Sequence, residues 1–333
     1  MREKVNGFVG VMAVAILCMV SGLCMVWGIA PVVLAVYVAA CAVCGRYMIT
    51  CIGCAAGVAA GSMGIAGLLH AYEYMIPGPA YSGVMVTEKY LVLLGLAMCL
   101  MKIVYSRNSR SYVRVIVVMS AAVLMGNIVV YADNMLMAAA YGVVEAAIFM
   151  CASVILKPGI GLLYTYICGD ASDVERDESW NISQGIVSLM ALAAVVLWVV
   201  PGEDIYGVNP AFMLALVLIL YAVYRTGAVY GCGMAAVAGS IVSVKLNDSR
   251  WLMWMLLVTL VMLIGRALTG RRKVSASLFY VLGCVLASVA DGTVLWNGSG
   301  REIAFYYINI AVPVVLFACI PGALLGAMDE ETD

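Results

Sequence analysis

Glu145 is the residue in this chain with the most room to do chemistry. It lies in the apolar run Tyr-Gly-Val-Val-Glu-Ala-Ala-Ile-Phe, residues 141–149. A carboxylate in such surroundings is costly, so it marks either a proton or ion site or a hydrogen bond that ties helices together. The sequence offers it no obvious cationic mate, which favours the tying role. For that role Glu145→Gln is expected to be tolerated, and Glu145→Leu to cost about 1–2 kcal/mol. Cysteine is the second candidate. Cys41/Cys44 and Cys51/Cys54 form two C-x-x-C pairs, and the chain holds 12 cysteines in all. Metal-binding pairs sit in polar loops with a longer segment between them. These pairs sit in apolar runs, where cysteine reads as a small packing residue. One histidine, His70, leaves little material for imidazole chemistry. The acidic segment Asp170–Glu178 lacks the ordered spacing of a calcium loop. Glycine-rich phosphate loops, G-x-S-x-G and H-E-x-x-H do not occur in the sequence. The sequence therefore predicts no catalytic, metal or cofactor-binding residues.

The elements that would position Glu145 are membrane spans. Hydrophobic residues make up 65% of the 333 and charged residues 11%, against about 25% charged in a soluble domain. The net charge of −1 gives no sign of a nucleic-acid partner. Apolar stretches fall at about 8–28, 31–45, 47–69, 90–106, 115–132, 135–156, 182–200, 210–224, 226–244, 251–269, 274–290 and 303–327. The first is read as a retained span rather than a cleaved leader. The stretches at 31–45 and 210–224 are the weakest, and read as half-spans or tilted helices. The prediction is an all-α polytopic transmembrane bundle of about 10–12 spans covering 1–327, followed by a short acidic tail at 328–333. With both termini cytoplasmic, inner loops hold 14 of the 18 basic residues, and outer loops hold Lys89, Lys245, Arg250 and Arg301. The bilayer is the first partner implied, and the cell membrane the location.

Small residues suggest how the spans pack. Gly227, Gly231, Ala235 and Gly239 recur every fourth position, and the polar link Lys245–Arg250 after them reads as a turn at a membrane surface. Gly53, Gly57 and Gly61 make two overlapping G-x-x-x-G steps, extended by Gly64 and Gly67. Such faces admit a close second helix, within the chain or from another copy. Pro313 is expected to kink the last span, and Pro321 lies near its inner end. Lys102 and Arg266 stand a turn from span ends, where they can snorkel. Trp251, Trp254, Tyr306 and Tyr307 fall near predicted interfaces. Residues 53–61 resemble 227–239, but a shared preference for small residues accounts for this, and no clear tandem repeat is visible.

Several of these runs resemble a known family. Gly227–Ser240, Gly265-Arg266 with Arg271-Arg272, the run 278–288 and the closing Leu-Phe-x-x-x-Pro at 316–321 are similar to the membrane region of stage II sporulation protein E. The 28–40 run, the Glu145 stretch and Ser188 fall where that region has similar patterns. The resemblance implies a multi-pass anchor preceding a self-associating cytoplasmic region and a PPM-type phosphatase domain. That phosphatase acts on an anti-anti-sigma factor at the asymmetric septum of an endospore former. This chain departs from it by ending twelve residues after Pro321, so the phosphatase part is missing. Asn181-Ile182-Ser183-Gln184 also replaces an acidic run. Cytoplasmic division or sporulation proteins are the partners implied.

The expected function is a non-enzymatic membrane anchor or scaffold. The rival is a small-solute transporter or channel, which paired intramembrane charges and broken helices would favour. An intramembrane enzyme ranks below both.

Overall fold

The computed structural model describes residues 2–23, 31–62, 83–104, 109–132, 134–168, 182–200, 208–270, 272–291 and 300–319. These form twelve helices, one for each apolar stretch: α1 (Arg2–Leu23), α2 (Pro31–Cys44), α3 (Tyr47–Ser62), α4 (Gly83–Ile103), α5 (Ser109–Val130), α6 (Met135–Cys168), α7 (Ile182–Val199), α8 (Pro210–Thr226), α9 (Ala228–Lys245), α10 (Arg250–Thr269), α11 (Lys273–Asp291) and α12 (Gly300–Cys319). Five contain stretches long and apolar enough to cross a membrane: Arg110–Val130, Met135–Thr165, Ala228–Lys245, Arg250–Thr269 and Lys273–Ala290. Others, α2 and α8 among them, are apolar but shorter. The outside of the bundle is apolar as well. Leu136, Val129, Val92 and Met253 are each more than 70% exposed. Large side chains of this kind belong against lipid, so the chain is an all-α membrane protein.

The chain divides into two compact units, Met1–Val199 and Val200–Asp333. In the first, α2 is the centre. Its residues Val33 to Cys41 have no exposed surface on any side, as expected of a helix that is apolar all round. Around it pack α1, α3, α4, α5 and α6, while α7 lies against α6 and α1. In the second unit the centre is α8, flanked by α9, α10, α11 and α12. The two stretches that looked weakest as spans are thus the hubs. Fourteen residues of α2 rise only about 21 Å against a hydrocarbon core of about 30 Å. A helix enclosed by protein need not match the bilayer.

Both hubs start and stop by the same devices. Pro31 and Pro210 occupy the first helical position, where a missing N–H costs nothing. Asn209 Oδ1 accepts from the Phe212 N–H at 2.9 Å, and the Asn209 N–H donates to Asn309 Oδ1 of α12 at 2.9 Å. Each hub ends at a glycine in the left-handed region, Gly45 (φ +63°) and Gly227 (φ +89°).

The helix α6 runs further than the sequence suggests. The expected span stops at residue 156, with Lys157 in an inner loop. Instead α6 continues through Pro158 to Cys168, and Lys157 Nζ stands 4.7 Å from the centre of the Tyr112 ring. Neighbours repair the break that Pro158 introduces. The Gly159 N–H donates to Ser188 Oγ of α7 at 2.6 Å, and the Tyr112 hydroxyl of α5 donates to the Ser153 carbonyl at 2.7 Å. Hydroxyls from adjacent helices commonly satisfy backbone groups freed at an intramembrane proline. Ser188→Ala should therefore lower stability by about 1 kcal/mol, read as a fall in the unfolding midpoint of the detergent-solubilised protein. An unchanged midpoint would show that the broken turn needs no help from α7.

Small residues work as expected in part. A Cβ on Gly53 would lie 2.7 Å from the Ala15 carbonyl oxygen, and one on Gly57 would lie 2.1 Å from that of Met19, so this face receives α1. Gly61 is half-buried in the same helix, while Gly64 and Gly67 lie outside the described residues. In α9 the face serves two partners: Gly231 admits Val223 of α8, and Gly239 admits the Leu252 backbone of α10. Gly227 is not part of that stripe. It is the turn between α8 and α9. The polar link is a turn, as read, with Asn247 at φ +49° and Asp248 held by Arg250 at 2.7 Å. Of the two prolines in the last stretch, Pro313 lies inside α12, and Pro321 falls outside the described residues, as do the acidic tail, Asp133, the Asp170–Glu178 segment and His70.

Candidate functional site

Glu145 has a cationic mate after all. Lys89, expected in an outer loop, is in the second turn of α4 and is 8% exposed. The apolar stretch there begins at residue 90, whereas the helix starts at Gly83, seven residues earlier. Lys89 Nζ donates to Glu145 Oε1 at 3.0 Å and to Oε2 at 2.8 Å, with the side chains 4% and 1% exposed. The two residues are 56 positions apart, so no local spacing could announce the contact.

A third side chain closes the cluster. Asn127, in the last turn of α5, accepts from Lys89 Nζ through Oδ1 at 3.1 Å and donates from Nδ2 to Glu145 Oε2 at 2.7 Å. Its Nδ2 also donates to the Val123 carbonyl at 3.1 Å, which fixes the amide orientation. Asn127 went unnoticed in the sequence because one amide near a helix end is ordinary. What would have singled it out is helical phase. Val123 and Asn127 share one buried face of α5, four residues apart. Glycine makes room for the contact: a Cβ on Gly126 would lie 3.3 Å from Lys89 Cγ, and one on Gly142 would lie 3.3 Å from Leu124 Cγ. The Lys89 ammonium also stands 4.8 Å from the Tyr90 ring centre.

The arrangement corrects the expected response of Glu145. Glutamine cannot neutralise Lys89, so Glu145→Gln is no longer the mild change that an unpaired carboxylate predicted. A buried ion pair that loses one partner leaves the other charge uncompensated.

The other candidates separate from this cluster. Arg266 does not snorkel outward. It is half-buried in the last turn of α10, and its Nη1 donates to the Val223 carbonyl near the end of α8. There a cation complements the helix dipole and takes up a terminal carbonyl. The same guanidinium fills the space beside Gly227, 3.2 Å from where its Cβ would be. Trp254 and Tyr306, expected at interfaces, are buried. Trp254 packs on Phe212 at 5.2 Å, and the Tyr306 hydroxyl pairs with Ser288 Oγ at 2.8 Å. Tyr307 is the exposed member, at 40%.

The described cysteines divide between the interior and the exterior of the bundle. Cys18, Cys41, Cys54 and Cys284 are fully buried, and Cys99, Cys151, Cys232 and Cys319 are exposed on the apolar exterior. Cys41 Sγ lies 3.2 Å from Thr50 Oγ1, a contact between the two C-x-x-C helices. Among the described residues no three His, Cys, Asp or Glu side chains converge on a metal position. No protein-family model, curated protein or solved structure matches the chain.

Proposed function

We propose that this protein is a non-enzymatic membrane anchor or scaffold, a bundle whose apolar exterior holds it in the bilayer. The observation that carries this reading is how the Lys89–Glu145–Asn127 cluster spends its bonds. Both carboxylate oxygens, the ammonium and both amide atoms are directed at one another or at the backbone. Such closure locks three helices and leaves little to offer a solute. The similarity of several runs to the membrane region of stage II sporulation protein E points the same way, with the asymmetric division septum as the place of action and both termini in the cytoplasm.

A second reading, a small-solute carrier, draws on two features: a buried ion pair and a proline-broken helix in each unit, Pro158 and Pro313. Carriers use such elements to bind ions and to bend. One double variant separates the two. Lys89→Met with Glu145→Leu removes both charges together. A fluorescent fusion of that variant, inserted and folded, should localise in a sporulating host as the unaltered chain does. Loss of localisation or of sporulation in a variant that remains folded would sink the anchor reading and favour the carrier.

A further inference from the structure

We infer that the chain is an internal duplication, in which α8–α12 repeat α2–α6 helix for helix. The packing pattern within each unit raises the idea. In the first unit α2 packs on α3, α4, α5 and α6, and the outer four make the neighbour pairs α3–α4, α4–α5 and α5–α6. In the second, α8 packs on α9, α10, α11 and α12, with the neighbour pairs α9–α10, α10–α11 and α11–α12. Each of these seven pairs in one unit has its counterpart in the other.

Apolar helices match one another easily, so the weight falls on marks that apolarity does not explain. The first helix of each set opens on proline and closes on a positive-φ glycine. The second helices carry Gly-Cys-Ala-Ala-Gly-Val-Ala-Ala-Gly-Ser (53–62) and Gly-Cys-Gly-Met-Ala-Ala-Val-Ala-Gly-Ser (231–240). This is the weakest of the matches, because burial in these two helices lines up one residue away from the sequence match. The third helices contain Lys89-Tyr90 and Arg250-Trp251, and a shift of 161 residues superposes the buried Leu93, Leu94, Ala97 and Met101 on the buried Trp254, Met255, Val258 and Met262. Each set has four basic residues around the turn from its third to its fourth helix: Lys102, Arg107, Arg110 and Arg114, against Arg266, Arg271, Arg272 and Lys273.

The fourth and fifth helices agree in bonding as well as in residue type. At a shift of 168, Tyr112 matches Tyr280 and Ser120 matches Ser288, and all four are buried. Ser120 Oγ donates to the Ile116 carbonyl at 2.8 Å, and Ser288 Oγ donates to that of Cys284 at 2.6 Å, the residue in the position of Ile116. The Tyr112 hydroxyl donates to the Ser153 carbonyl at 2.7 Å, and the Tyr280 hydroxyl to the Ile310 carbonyl at 3.2 Å. Both acceptors lie shortly before the proline of the fifth helix, Pro158 or Pro313. At a shift of 157, Ser153 falls on Ile310, and the buried Phe149 and Ile160 fall on the buried Tyr306 and Phe317. The same shift places Glu302 at the register position of Glu145. A tyrosine bracing the backbone of a proline-broken helix, once per unit and at one place in the packing order, is the mark of a copied module.

Two substitutions in the full-length chain test this, Tyr112→Phe and Tyr280→Phe, which remove only the hydroxyl. Each should lower the unfolding midpoint in detergent by about 2–4 °C, and by similar amounts. A drop at one position with no change at the other would break the equivalence of the two tyrosines, and with it the strongest support for the repeat.

Discussion

Lys89→Met is expected to destabilise the first unit by about 3–5 kcal/mol, because it strips Glu145 of its counter-charge in a place water does not reach. Glu145→Leu should cost a similar amount by stranding the ammonium. Glu145→Gln should sit close to Glu145→Leu, since an amide accepts one bond from Lys89 but neutralises nothing. The double variant Lys89→Met/Glu145→Leu should recover most of the loss, because apolar side chains of similar volume remove both desolvation penalties at once. Thermal or chemical unfolding of the four proteins in one detergent gives a double-mutant cycle. A coupling near zero, with the two single losses simply adding, would mean that the charges do not depend on each other. Asn127→Leu belongs in the same series and should cost less than either charge, since it removes hydrogen bonds but leaves the ion pair.

The second large effect concerns α1. Gly57→Ala should cost about 1–3 kcal/mol, the usual range for forcing a methyl into a packed site. The new carbon would have to sit 2.1 Å from the Met19 carbonyl oxygen and 2.9 Å from the Met19 carbonyl carbon, and both belong to backbone that cannot swing aside. Gly22, across the same contact, is equally closed: its Cβ would lie 2.6 Å from the Val58 nitrogen. Gly95 is the control. Nothing stands within 4 Å of its would-be Cβ, so Gly95→Ala should be neutral, or stabilising by up to about 1 kcal/mol through helix propensity. Equal midpoints for the two alanine variants would refute the close approach of α1 and α3.

How far the sequence disclosed this structure depends on the range of the interaction concerned. The twelve helices were legible because an apolar run is a local property, and Pro313 was legible as local punctuation within the last of them. Gly53 and Gly57 were legible for the same reason, since spacing along one helix defines a face. The mate of Glu145 was hidden by two local misreadings. Starting the fourth span at residue 90 pushed Lys89 out of the bilayer, and a partner 56 residues away leaves no periodic trace. Arg266 was read as a snorkelling residue because helix-end arginines often are. Its actual acceptor, the Val223 carbonyl, becomes available only when α8 stops at Gly227. The repeat escaped because the loops differ in length and the shift changes from helix to helix. It becomes visible once bonding partners, rather than residues alone, are compared.

The enclosed position of α2 sets an order on the making of the protein. The chain leaves the ribosome with this hub second, before four of the five helices that will surround it. Its last residue precedes the end of α6 by 124 positions, from 44 to 168. At a synthesis rate of about 5–20 residues per second that is a wait of about 6–25 s. Throughout that interval acyl chains must stand in for the protein wall, and a helix of 14 residues is too short to hold the bilayer at its resting thickness. The membrane serves as a temporary partner that the later helices displace, so the first unit cannot close until translation has passed α6.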